Sequence, residues 1–81
     1  MFDKLKQLRE LKKMQGEMQK QRYEGESRGT KLVLNGTLMA TEVFLNAELG
    51  VKEQEEAVRN AFNDAVKKAQ MAMAQQFSGL M

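Results

Sequence analysis

The sequence predicts a single α+β domain, residues 1–81, in the order long helix, three-stranded antiparallel meander, long helix. Three observations predict this fold. Both ends of the chain carry helix-forming residues at helical spacing, and the middle carries strand-forming residues around an Asn-Gly pair. The chain is also too short for a second domain of ordinary size.

The first helix is expected from Phe2 to about Gln21, a stretch without proline that is dominated by Leu, Lys, Gln, Glu and Met. An a/d-like seam runs along it, and Leu5 and Met14 widen this seam to a stripe. The seam consists of Leu8, Leu11, Gln15 and Met18. Gly16 costs the helix about 1 kcal/mol relative to alanine, so it marks either a close-packing point or a weak point.

The meander is predicted from turn residues between short runs of strand-forming residues. The segment from Arg22 to Glu26 is expected to be an edge strand that turns through Ser27, Arg28 and Gly29. A hairpin is expected around Asn35-Gly36, because this pair tolerates positive φ. Its returning arm contains Thr41 and ends with Val43, Phe44 and Leu45.

The hairpin register stays open between two turns, the two residues Asn35-Gly36 or a longer loop through Met39. The choice decides which face Val43 and Leu45 occupy, because a one-residue slip inverts every side chain of a strand. Apolar residues stand at consecutive positions in both arms, so both faces of the sheet should need partial cover. We expect the two helices to provide it.

A second long helix is expected after a turn capped by Asn46 and ended by Gly50. The carboxylates of Glu53, Glu55 and Glu56 suit the start of a helix, which is a better interpretation than a metal patch. An apolar stripe rich in alanine follows, and its small residues permit close approach of another helix or of the sheet. The stripe consists of Val51, Val58, Ala61, Phe62, Ala65, Val66, Ala69, Met73, Phe77 and Leu80.

The composition argues against several classes of function. The chain has no Cys and no His, so it lacks thiolate metal ligands, the usual zinc and copper ligands, and the common nucleophile-plus-base pairs. It also lacks a phosphate-binding glycine loop. We therefore expect no enzyme, no cofactor, no metal and no small-molecule substrate. No run approaches the ~20 apolar residues of a membrane span, so we expect a cytoplasmic protein.

A short chain without disulfides or metal gains stability most simply by pairing with a copy of itself, so a homodimer is expected. The net charge is +2, but residues 1–22 carry seven basic against three acidic residues, a net of +4. Lys6, Lys13 and Lys20 repeat at seven-residue spacing and share one side of the first helix.

Cations along a helix can neutralise phosphates and release counterions, which gives sequence-independent affinity for DNA. The alternative is a solvated helix face partly neutralised by Glu10 and Glu17, and composition alone favours it. A symmetric dimer would double the charge of the helix. For the apolar stripe of this helix, packing into a core is expected rather than a membrane surface. The predicted DNA-contacting residues are Lys4, Lys6, Arg9, Lys12, Lys13, Lys20 and Arg22, with Lys67 and Lys68 on the second helix as secondary candidates.

Several segments carry a resemblance to a known family. They are Met1-Phe2, the Met/Gln/Lys-rich first helix with MQGEMQKQ, then EGES and Gly29, KLVLNG, VFLNAEL, AFNDAVKKAQ and MAQQFSGLM. In this order and spacing they resemble the YbaB/EbfC family of bacterial nucleoid-associated proteins over nearly the whole chain. The connector before the second helix is shorter than in that family, which is expected to move this helix. The family's Gly/Pro-containing C-terminal tail has no counterpart here.

The resemblance implies a small α+β protein that dimerises by joining its sheets and helices, with helical arms held apart like tweezers. It also implies binding to double-stranded DNA with little sequence preference, association with the nucleoid, and no catalysis. The family has no compact binding motif to transfer, so the residues proposed for DNA rest on charge and helix geometry. The rival hypothesis is a small dimeric protein-interaction module whose lysines keep it soluble and which has no nucleic-acid role.

Overall fold

A computed structural model describes residues 2–79 of the chain, and the side chains of residues 3–75. The elements are α1 (Phe2–Gln19), β1 (Tyr23–Ser27), β2 (Thr30–Leu34), β3 (Ala40–Phe44) and α2 (Val51–Gly79). The strands form one antiparallel sheet in the order β1-β2-β3. The predicted α-β-β-β-α order is therefore confirmed.

The tight two-residue turn of the meander lies between β1 and β2. Ser27 pairs with Thr30, and both residues between them have positive φ, 51° at Arg28 and 81° at Gly29. Two consecutive positive φ angles are the signature of the type I′ turn that suits the twist of a hairpin. Gly29 at the second position of the turn is the usual choice, whereas arginine at the first position is unusual.

The Asn-Gly pair does not form such a turn, because β2 and β3 are joined by the longer loop Asn35–Met39. The Asn35 Oδ1 atom accepts hydrogen bonds from Thr37 N at 3.0 Å, Thr37 Oγ1 at 2.6 Å and Met39 N at 3.1 Å. The buried Asn35 side chain thus satisfies the backbone of the loop. Of the two alternatives that the sequence left open, the longer loop is present.

The register of β2 and β3 assigns each face of the sheet. Leu32 is opposite Val43, and Lys31 is opposite Phe44. A bulge follows, because Val33 pairs with Glu42 but Leu34 pairs with Ala40. Val43 therefore shares the face of Leu32, and Phe44 lies on the opposite face.

The core lies between α2 and the Leu32 face of the sheet. Four alanines, spaced four residues apart, are buried in α2, and Leu32 and Leu34 pack against two of them. These alanines are Ala57, Ala61, Ala65 and Ala69. Gly25 of β1 lies so close to the helix that an added Cβ would overlap the Ala61 carbonyl oxygen and lie 2.6 Å from Ala65 N. The small side chains thus bring α2 directly onto β1 and β2, and of the two partners that the alanine-rich stripe left open, another helix or the sheet, the sheet is the one found.

The connector between β3 and α2 is fixed by Asn46. Its Nδ2 atom donates a hydrogen bond to the Arg28 carbonyl at 2.8 Å, and its Oδ1 atom accepts one from Glu48 N at 3.1 Å. Gln54 of α2 donates to the Asn46 carbonyl at 2.9 Å and contacts the Thr30 hydroxyl at 2.5 Å. The start of α2 is thereby tied to the β1–β2 turn.

The expectation that both helices cover the sheet is wrong. Within residues 2–79, α1 packs against no strand, and only its last turn approaches α2, at Met73. The opposite face of the sheet is mixed: it carries the charged residues Glu24, Lys31 and Glu42 together with the buried Val33 and the 55% exposed Phe44. The first helix therefore does not pack into a core.

The joint between α1 and the sheet is a single close backbone contact. Gly36 N donates a hydrogen bond to the Met18 carbonyl at 2.7 Å, and a Cβ on Gly36 would meet this carbonyl. Gly36 is thus needed for the docking of α1 rather than for a tight turn. Beyond the joint, the apolar side chains of α1 are left 57 to 60% exposed. They are Leu5, Leu8, Leu11 and Met14.

Candidate nucleic-acid interface

The basic residues of α1 are exposed and unpaired. In the described part of the chain, no carboxylate lies within 4 Å of them, since the ion pairs found there involve other cations. Lys20 follows the end of the helix in a turn, with its amide donating to the Glu17 carbonyl at 3.2 Å. The exposed cations of this segment are Lys4, Lys6, Arg9, Lys12, Lys13 and Lys20. We call this set the α1 cations.

Two other predicted residues are engaged by neighbours. Arg22 Nη2 lies 2.7 Å from Glu42 Oε2, an ion pair without hydrogen-bond alignment. Lys68 Nζ donates to the Glu24 carbonyl at 2.8 Å and lies 3.4 Å from Asp64 Oδ2. Both residues keep more than half of their side-chain surface exposed, so these contacts are weak, but their charges are partly compensated.

Lys68 helps to fasten α2 to β1 through two polar contacts. The carboxylate that faces it, that of Asp64, also accepts a hydrogen bond from Glu26 N at 3.3 Å. Lys67, its neighbour, is exposed. The cleft between the end of α1 and α2 contains neither lysine, so the structure does not bring them together with the α1 cations there. The cleft is lined by Met14, Glu17, Met18, Gln21 and Met73.

An acidic row lies next to the lysines. Glu10 and Glu17 were expected to neutralise the lysines in part, but the repeat that these residues form with Asp3 was not predicted. Asp3, Glu10 and Glu17 are exposed and repeat at the same seven-residue spacing as the lysines. Each acidic residue lies three or four residues from a lysine of the neighbouring row, so the two rows run side by side on the helix. The shared spacing was the signal that could have revealed this second row.

An apolar surface on the other helix is also left uncovered. The predicted stripe of α2 divides, because its alanines are buried while Val58 and Val66 are half-buried and Phe62 is 41% exposed. Val43, on the sheet face that carries Leu32, is 51% exposed, and Leu45, which follows β3, is 62% exposed and lines one groove with Val58. We call these five residues the α2–β3 surface. The side chains of the predicted stripe residues Phe77 and Leu80 lie outside the described ones.

The α2–β3 surface continues into an open groove of about 720 Å³. Its lining is largely apolar and includes Leu45, Leu49, Val51 and Val58. The cause of the exposure is geometric, since α2 contacts β1 and β2 but not β3. One helix is about 10 Å wide and strands are about 4.8 Å apart, so a single helix covers two strands and leaves the third bare.

The described residues contain no group of three or more carboxylates placed to hold a metal ion. Among the helices described, neither is long and apolar enough to cross a membrane. Comparison with known proteins adds no relative: no family model, curated protein or solved structure matches the chain.

Proposed function

We propose that this chain is a homodimeric nucleoid-associated protein that binds double-stranded DNA through the phosphates, largely without sequence preference. The observation that carries the proposal is a helix that projects from the sheet and bears a row of exposed, unpaired cations. Phosphate contacts by lysine and arginine supply most of non-specific DNA affinity. The α-β-β-β-α order agrees with the fold that the resemblance to the YbaB/EbfC family implies. The proposal places the protein in the cytoplasm, on the nucleoid.

The dimer would form through the α2–β3 surface. On the sheet face that carries Leu32, β3 is not covered by the α2 helix of its own chain. The α2 helix of a second copy can pack on this uncovered strand, against the apolar row of the first α2. In a two-fold arrangement, each α2 would cover β3 of the other copy, so that both uncovered strands are covered at once. The α1 helices take no part in this contact. Each dimer would therefore present two basic helices.

The test of DNA binding is its dependence on salt. Each phosphate contact contributes about 0.9 to the slope of log affinity against log salt concentration. If the three-lysine row of each copy is engaged, the slope is about −5, and affinity falls about a thousandfold between about 50 and 200 mM salt. Fluorescence anisotropy with a labelled duplex measures it. A flat salt dependence, or no binding near 50 mM salt, would contradict the proposal.

The test of the dimer is substitution on its proposed surface. A Val58→Thr/Phe62→Gln variant should raise the dissociation constant of the dimer roughly a hundredfold, because Phe62 loses its ring and Val58 gains a hydroxyl at the centre of an apolar contact. Both are partly exposed in the single chain, so the fold should persist. Sedimentation equilibrium at micromolar concentration measures the change. Met71→Gln is the matched control, since Met71 is 58% exposed on another side of α2.

For this prediction, the control should remain dimeric like the parent protein. A parent chain that sediments as a folded monomer at the same concentration would overturn the proposed dimer.

A second candidate function is a protein-interaction module without a nucleic-acid role. The observation that favours it is the exposed apolar stripe of α1, since contiguous apolar surface commonly marks a binding site for protein. Capture of a defined protein partner after nuclease treatment, together with absent DNA binding, would favour this alternative.

A further inference from the structure

The polar side of α1 carries its charges in an ordered sequence of rows. The acidic row (Asp3, Glu10, Glu17) lies next to Lys6 and Lys13 of the lysine row, with three or four residues between neighbours, and Lys20, the third lysine of that row, follows in the turn after the helix. Arg9 lies on the other side of the lysine row, three residues after Lys6 and four before Lys13. Lys12 follows three residues after Arg9, on the side away from the acidic row.

This order limits how α1 can approach a duplex. The major groove is about 12 Å wide and a helix with its side chains is 10 to 12 Å across, so an inserted helix has a phosphate strand on each flank. If the lysine row pointed into the groove, the acidic row would face one of these strands. Three exposed carboxylates would then oppose a line of phosphates, and like charges in such contact repel.

A rotation about the helix axis removes the conflict. Consecutive helical residues are about 100° apart, so a face centred on Arg9 turns Glu10 well away from the DNA. On this face, Lys6 and Lys13 flank Arg9 on one side and Lys12 flanks it on the other. A narrow band of cations of this kind matches one phosphate strand rather than two.

We propose, on the basis of the proposed DNA binding, that α1 lies along a single sugar-phosphate strand with Arg9 at the centre of the contact. The acidic row keeps the helix out of the major groove and thereby prevents contacts with base edges. Binding without sequence preference then follows from the charge order of α1, because phosphate contacts carry no direct sequence information.

Chemical footprinting of the complete protein on a saturated short duplex tests this contact. Hydroxyl radicals report on the sugar-phosphate backbone, and dimethyl sulfate reports on guanine N7 in the major groove. We expect backbone cleavage to fall at least severalfold while N7 methylation stays within about twofold of free DNA. Equal protection of N7 and backbone would overturn the inference but not the DNA binding. Protection of neither, with no anisotropy change, would overturn both.

Substitution of the acidic row gives a second, independent test. A Glu10→Gln/Glu17→Gln variant should bind DNA about tenfold more tightly, because the phosphates no longer repel the two carboxylates of the acidic row. Its α1 should then enter the major groove and protect guanine N7. The matched control is Glu53→Gln/Glu56→Gln, which changes the same charge at exposed positions of α2. The control should leave N7 unprotected. If both pairs raise affinity equally and neither changes N7 protection, the acidic row does not direct the helix and the inference is wrong.

Discussion

A Gly25→Ala variant should lose about 3 kcal/mol of unfolding free energy, a large part of the total for a domain of this size. The added Cβ would collide with the Ala61 carbonyl oxygen and with Ala65 N. Both are backbone atoms in the middle of a helix, so no side-chain rotation can relieve the overlap. The helix must move off β1, which opens the alanine row that forms the core. Urea unfolding followed by circular dichroism measures the loss.

Gly16→Ala is the matched control for this change. A Cβ on Gly16 meets nothing within 4 Å, so the same substitution should stabilise α1 by about 0.5 to 1 kcal/mol. The two variants should therefore shift the urea midpoint in opposite directions. Equal stability of the Gly25→Ala variant and the parent would show that α2 does not lie against β1 at this distance.

The Lys6→Gln/Lys13→Gln/Lys20→Gln variant should lose a large part of its salt-dependent DNA affinity, and Arg9 and Lys12 should supply the rest. Three charges are removed from each copy of the dimer, so the slope of log affinity against log salt should become less negative by about 5. The affinity near about 50 mM salt should fall at least a hundredfold. All DNA sequences should be affected about equally, because phosphate contacts position the protein without reading bases. Anisotropy titrations with several unrelated duplexes measure both effects.

The control for the lysine row removes three exposed charges elsewhere, in an Arg28→Gln/Lys52→Gln/Arg59→Gln variant. It changes net charge by the same amount, and we expect a loss of affinity of less than about tenfold. Equal losses in the two variants would mean that DNA responds to overall charge rather than to the face of α1.

Periodicity predicted the helices of this chain well, since their spacing is a local property. It did not predict what each helix contacts. The stripe of α1 is as regular as a core stripe, yet Leu8 and Leu11 are exposed, because α1 contacts no strand and meets the sheet region only at its last turn. The stripe of α2 was predicted as one surface, but its alanines are buried against β1 and β2, Val66 packs at the edge of this core, and Phe62 is exposed.

Turn chemistry was predictable only in part. Asn35-Gly36 has the strongest turn signal in the chain, but Asn35 uses its side chain to hold a longer loop and Gly36 is needed for contact with Met18. The type I′ turn instead contains Arg28, a residue that rarely adopts positive φ. The charges of the candidate interface were visible in sequence. The partners of Arg22 and Lys68 were not, since Glu42 and the Glu24 carbonyl are brought near them by strand pairing and helix packing.

The contact between Gly36 and Met18 holds α1 at one end only. A helix of 18 residues is about 27 Å long, and in the described structure it meets the sheet only at its last turn. A tilt of α1 by about 10° at this contact displaces the N-terminal end of the helix by about 5 Å, close to one helical pitch. A small change in the loop that contains Gly36 can therefore move the far end of α1 by several ångströms while the sheet and α2 keep their mutual packing.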